Sequence, residues 1–186
     1  MSTSSVTAQF DVFSGSFNMS VSKSIDKGKF NHLCFVFDRD SKFQTLQIYK
    51  DEVVSGNSGE STKISDLDID FAELLIGSGS QYVCASSIIT PQQTLSGTMD
   101  ELRIFHSVRT QQQQQSYAKK SVFATSDLKL YYKFNEPPPP LSPVFDDITN
   151  AIVLDSSGNY LHSYVTNFVD SLREDSETDL TSNMVY

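Results

Sequence analysis

The chain has 186 residues and carries 14 Lys and Arg against 23 Asp and Glu, a formal net charge of -9. That balance excludes nucleic acid and anionic membrane as main partners, because both require a basic face that replaces counterions. No run of about 20 apolar residues is present to span a bilayer, and the start, MSTSSVTAQF, has neither the basic end nor the apolar stretch expected of a signal peptide. With 38% hydrophobic residues, 13 Phe and 8 Tyr but no Trp, a core for one domain or slightly more is affordable.

The dominant periodicity is two. In FNHLCFVFD, Leu33, Phe35 and Phe37 alternate with His32, Cys34 and Val36, so both faces are apolar and a central strand is expected. TLQIYKDEVV reads as strand, tight turn, strand, and Gly56 to Gly59 as a loop. In SDLDIDFAELLIG, Asp66, Asp68 and Asp70 share one face opposite Leu67, Ile69 and Phe71. LLIGSGS, YVCASSII and MDELRIF give three more short extended pieces. One surface helix follows, with Thr110 as its N-cap and Gln113 completing a capping box over Gln111 to Gln115.

From Asp127 the pattern restarts. DLKLYYKFNE sets Leu128, Leu130, Tyr132 and Phe134 on an apolar face against Lys129, Tyr131 and Lys133 on a wet one. It stops at Pro137 to Pro140, which cannot join a ladder. AIVLDSSGNYLHSYV then carries a strand, a turn and a strand, and the tail from Asp170 holds five acids against Arg173, which suits a segment ordered only against a partner. Many short strands with a single helix predict an all-β antiparallel sandwich or jelly roll. The two cysteines, Cys34 and Cys84, lie in apolar runs and read as buried thiols, with one bridge between them as the alternative. No Cys/His cluster suits structural zinc.

The succession FNHLCFVFDRD, LQIYKDEVV, LLIGSG and SGTMDELRIFHSVRTQQQQ resembles the back half of the laminin-G-like, concanavalin A-like jelly roll over roughly residues 10 to 120. TMDELRIF is the most specific piece. Phe30 stands where that family usually has Trp, and Glu52 where its hairpin usually has Gly. LKLYYKFNE followed by VLDSSGNYLH resembles the opening strands of the same kind of domain, here placed after the back half. The expected organisation is thus a laminin-G-like back half over 1 to 122 and an acidic tail over 169 to 186. Between them, 123 to 168 hold either the opening of a second unit in a cut tandem array, which is favoured, or the closing strands of one permuted sandwich.

An extended MDELRIF turns Asp100 inward with Leu102 and Ile104, and a buried carboxylate must be hydrogen-bonded, paired or metal-bound. The structural reading has Asp100 accepting backbone or hydroxyl hydrogen bonds and Glu101 pairing with Arg103 or a lysine. The functional reading is calcium, a hard cation suited to carboxylate and carbonyl oxygens, with Asp100 and Glu101 as candidates. The resemblance adds Asp155 and Asn159 of the D-S-S-G-N turn. Asp66, Asp68 and Asp70 fail as an EF-hand loop, since Phe71 and Gly77 occupy the positions that need Gly and Glu.

Tyr49 and Tyr82, near loop ends, are the candidates for stacking on a sugar. His32, His106 and His162 have no nucleophile motif beside them, and the E-x-D-x-x-E strand of related glycosidases is absent, so no catalytic residue is expected. Asn18, Met19 and Ser20 form one N-glycosylation sequon, which in the absence of a visible leader reads as chance. The resemblance implies a non-catalytic module for recognition or assembly, at an extracellular surface or in a virion, with protein partners or glycans. A calcium-assisted lectin is the alternative, and a glycoside hydrolase the distant one.

Overall fold

The computed structural model describes residues 4–14, 17–39, 43–60, 64, 74–77, 79, 81–84, 87–91, 95–136 and 151–166, excepting the side chains of 14, 60, 82, 84, 87 and 89. Asp66, Asp68 and Asp70, the four prolines and the acidic tail lie outside these residues. The chain divides into two compact units, Met1–Thr98 and Met99–Tyr186.

The first unit is built on two long strands, β1 (Ser5–Ser14) and β2 (Phe17–Asp26). They pair antiparallel from Ser5 opposite Asp26 to Ser14 opposite Phe17. Strict alternation explains them. Ala8, Phe10 and Val12 of β1 and Met19 and Val21 of β2 face one side, while Asn18, Ser20, Ser22 and Ser24 are exposed on the other. That apolar side packs on a second sheet of β3 (Leu33–Asp38), β4 (Gln44–Lys50) and β5 (Val53–Glu60), in the order β3-β4-β5. Leu46 and Ile48 of β4 are fully buried against Met19, Val21 and Ile64.

Two expectations change here. The central strand is β4; the apolar segment 33–38 forms an edge, and its residues other than Val36 are only partly buried or exposed. The Gly56 to Gly59 segment is a strand, pairing Gly56 with Ile48 and Gly59 with Thr45. Close packing requires glycine there: a Cβ on Gly56 would stand 2.8 Å from methyl carbons of both Ile48 and Val21. Ser55 is the extra residue where the register shifts between Ile48 and Tyr49, a bulge that bends β5.

The β4–β5 turn forms although its second position is Glu52. Asp51 and Glu52 both take left-handed backbone, with φ of 49° and 63°, as a two-residue type I′ turn demands. The strain is offset by a clamp from the segment before β3. Asp51 N–H donates to His32 O at 2.9 Å, and His32 N–H donates to the Asp51 carboxylate at 3.2 Å. Farther on, β6 (Tyr82–Cys84) pairs with β7 (Ser87–Ile89). Residues 74–77 form no strand: Gly77 turns the chain with φ 74° and its carbonyl accepts from Leu95 N–H.

The second unit pairs β8 (Leu102–Phe105) with β9 (Leu128–Tyr132), so segments on either side of residue 122 share one sheet. Between them lies α1 (Gln111–Tyr117), opened by the capping box expected from Thr110 and Gln113. β10 (Ile152–Val153) and β11 (Ser163–Tyr164) form a short pair, and Leu130, Tyr132 and Val153 make the core with Leu102 and Phe134. The wet face expected for β9 is only half wet, because Tyr131 is fully buried. Among the described residues the chain is all-β with antiparallel sheets and one short helix.

Gly56→Ala tests the packing of the first unit. Two core methyls would have to retreat, so the variant should lose about 1–3 kcal/mol, read as a lower urea midpoint with an unchanged slope.

Candidate functional site

The residues nominated for calcium, Asp100, Glu101, Asp155 and Asn159, lie in the second unit, where two polar networks form. The first is centred on Arg103. Glu101 adopts φ 55°, so the strand begins only at Leu102. The alternation that would set Asp100 beside Leu102 and Ile104 is therefore broken, and the buried carboxylate is that of Glu101, whose side chain is 7% exposed. Its Oε2 accepts from the Arg103 guanidinium and from the Tyr131 hydroxyl. Arg103 also donates to the carbonyls of Tyr117 at 2.8 Å and Lys120 at 2.6 Å, and lies over the Tyr131 ring at 5.0 Å. One guanidinium thus joins β8, β9 and the C-terminal end of α1, where a cation complements the helix dipole. Burial pushes the Tyr131 phenol above its ordinary pKa, and the Glu101 bond adds to this, so the hydroxyl stays a donor.

A smaller cluster secures the helix start. Arg109 lies over Phe105 at 4.3 Å and reaches Asp127 at 3.5 Å. Asp127 accepts from the hydroxyls of Ser107 and Thr125, both at 2.6 Å. The Ser107 bond is the main reason its carboxyl is held below the usual carboxylate value.

The second network is the D-S-S-G-N turn. Asp155 Oδ1 accepts from Tyr131 N–H at 3.0 Å and Ser157 N–H at 2.9 Å; Oδ2 accepts from the Ser157 hydroxyl at 2.8 Å and Leu161 N–H at 3.1 Å. Asn159 donates through Nδ2 to the carbonyls of Leu128 at 2.9 Å and Lys129 at 3.0 Å. Ser156 N–H donates to Tyr131 O, and the Tyr132 hydroxyl to Leu161 O. Gly158 supplies φ 88°, while Tyr160 accepts φ 60° despite its side chain. His162 Nδ1 accepts the Asp155 N–H at 3.0 Å. The geometry fastens the turn along the open edge of β9.

Asp155 and Asn159 come together, as do Glu101 and Arg103; both Asp155 oxygens and Glu101 Oε2 face donors, while Glu101 Oε1 is buried without a hydrogen-bond partner. Four N–H and O–H groups around Asp155 complement an anion, and this donor set does not fit a calcium ion. Among the described residues no three His, Cys, Asp or Glu side chains converge as a metal-binding group. Tyr49 is 6% exposed, with its hydroxyl donating to Gln47, so its ring offers no stacking face. Tyr82 opens β6 opposite Ile89, and its side chain lies outside the described residues. Sequence reasoning passed over the exposed aromatics of this unit, Phe123 at 85%, Tyr160 at 83% and Tyr164 at 72%. Tyr160 directly follows the D-S-S-G-N motif and could have been found from it.

Burial alone would raise the Asp155 carboxyl, but the N–H groups of Ser157 and Tyr131, the Ser157 hydroxyl and Leu161 N–H outweigh it and hold it below the usual carboxylate value. A depressed carboxyl contributes stability that is complete above the unfolded value and lost as pH falls through the folded one. Asp155→Asn should therefore weaken the second unit at neutral pH by about 1–3 kcal/mol, since the amide mismatches the donors. It should also flatten the loss of stability below about pH 4. Melting curves from pH 2 to 7 check both.

Comparison with known proteins adds the family. No curated protein and no solved structure matches the chain. A family of the laminin G type, described as the concanavalin A-like lectin/glucanases superfamily, matches residues 2–113, more than half of the chain. Its match covers the paired sheets of the first unit and runs on through Glu101, Arg103 and the capping box of α1, the segment whose motif is most specific. The chain belongs to the concanavalin A-like lectin/glucanase superfamily.

Proposed function

We propose that the chain is a non-catalytic β-sandwich module that docks on a protein partner within a larger structural or adhesion assembly. The observation that carries this reading is a strip of exposed apolar side chains on the second unit. Tyr160 (83% exposed), Leu161 (52%) and Tyr164 (72%) stand out with Ile152 and Leu154, either on the short β10–β11 pair or on the turn before β11. The turn is pinned by the Asp155 network, so these side chains are presented on a fixed frame at low entropic cost. An exposed apolar strip on a pinned frame suits a protein interface, whose centre is commonly aromatic.

The reading without catalysis draws on where the acids are spent. Glycoside hydrolysis needs two carboxylates placed on either side of a bond, one as acid and one as base or nucleophile. Glu101, Asp127 and Asp155 are each committed to two or more donors within the protein. A calcium-assisted lectin is the second reading and rests on the family alone. The β8–β9 pairing supports folding of residues 128–132 together with the end of the family-matched segment, rather than as the opening of a separate unit.

Two measurements separate these readings. Tyr160→Ser combined with Tyr164→Ser should abolish copurification of the partner from the native assembly while shifting the melting temperature by less than about 2 °C, as expected of exposed positions. An oligosaccharide array with calcium present should be silent. Saturable glycan binding, or a calcium-dependent rise in melting temperature, would instead establish the lectin reading.

A further inference from the structure

We infer that Asn18 is an N-glycan acceptor whose first sugar rests on Phe13. The sequon Asn18-Met19-Ser20 lies in β2, where alternation decides what each residue can do. Met19 is 2% exposed and sits in the core, whereas Asn18 and Ser20 are both exposed on the outer face. A glycan on Asn18 therefore leaves the hydrophobic packing untouched. Of all the asparagines in the chain, Asn18 alone is followed by the N-x-[ST] pattern without proline.

The cross-strand neighbour supplies the second observation. Phe13 of β1 is directly opposite Asn18 and is 51% exposed. Residues opposite one another in an antiparallel pair hold their Cβ atoms about 4.5–5.5 Å apart, so a sugar attached to the Asn18 amide begins beside the Phe13 ring. A hexopyranose presents an apolar C–H face as well as its hydroxyls. Laying that face on the ring removes apolar area from water at no cost to the core. The surrounding outer face is polar and small, with Thr7, Gln9, Ser20, Ser22 and Ser24 exposed, and it leaves room for a branched glycan. A glycan there also shields the hairpin against pairing with another sheet edge.

This inference is independent of the docking reading, since it concerns the other unit. The full chain would be secreted from eukaryotic cells behind a leader and its intact mass measured before and after peptide N-glycosidase. A mass gain that disappears on enzymatic removal and in Ser20→Ala is expected; an unmodified Asn18 in the secreted, folded chain overturns the proposal. The seat on Phe13 has its own readout. Trimming to a single N-acetylglucosamine should preserve a melting temperature about 3 °C above that of the fully deglycosylated protein, and Phe13→Ser should erase the difference. A glycosylated chain whose melting temperature ignores both treatments overturns the seat.

Discussion

The open edge of β9 is the constraint on which the second unit depends. A strand paired on one side only leaves a row of N–H and C=O groups, and each one buried without a partner costs about 1–3 kcal/mol. β8 satisfies one edge of β9. The other is met by side chains of the D-S-S-G-N turn, where Asp155 accepts the Tyr131 N–H and Asn159 donates to the Leu128 and Lys129 carbonyls. The residue types follow from what the edge lacks. An N–H requires an acceptor, and a carboxylate has lone pairs left for Ser157 and Leu161, which close the turn on itself. Two neighbouring carbonyls require a donor, and a single amide nitrogen serves both. Asn159 also donates to the Ser157 hydroxyl, which in turn donates to Asp155, so the two ends of the turn are coupled.

The first unit uses polar side chains to satisfy the backbone of one buried residue. Ile64 lies outside the strands yet is 3% exposed and packs in the core. Its N–H donates to the Gln44 side-chain carbonyl at 3.0 Å, and its carbonyl accepts from Arg39 at 3.2 Å. Gln44 is itself fully buried, a position for which a polar side chain is a poor choice unless it satisfies backbone. In both units polar side chains satisfy buried backbone groups. Their removal would therefore be felt as lost backbone pairing as well as lost packing.

Much of this was legible because it is periodic or local. The capping box of Thr110 and Gln113 depends on a spacing of three, and the hairpin through Lys50 and Val53 on alternation to either side. Elements that depend on distant chain were not legible in the same way. The run Leu33 to Asp38 is apolar on both faces yet forms an edge, because strand order is set by which hairpins follow it, and the β4–β5 hairpin puts β4 in the centre. Gly56 reads as a loop residue until Val21, thirty-five positions earlier, is seen against it. Tyr131 falls on the polar face of its strand by period two. It is buried because Arg103 and Glu101 cover it, and that arrangement requires the left-handed backbone at Glu101 that no periodicity announces. The DSSGN motif was readable as a turn, but whether its oxygens hold a cation or backbone donors is decided by the strand it lies against.

That last distinction bears on function. A superfamily that takes in both lectins and glucanases does not decide activity by its fold; the placement of acids must. A carboxylate with a free lone pair facing solvent can serve a sugar, a proton or a cation, whereas one saturated by N–H groups would have to break several hydrogen bonds first. For Asp155 that means giving up four donors, each bond to a charged acceptor worth about 1.5–3 kcal/mol, before any ligand contributes. Glu101 is held through Oε2 alone, by an arginine and a tyrosine. The net charge of -9 thus overstates what is on offer to ligands, since several of the acids belong to the framework. What the second unit presents outward is aromatic, on a turn that the same buried carboxylate keeps in place, and the proposed docking role and the rigidity of the turn have a common physical origin.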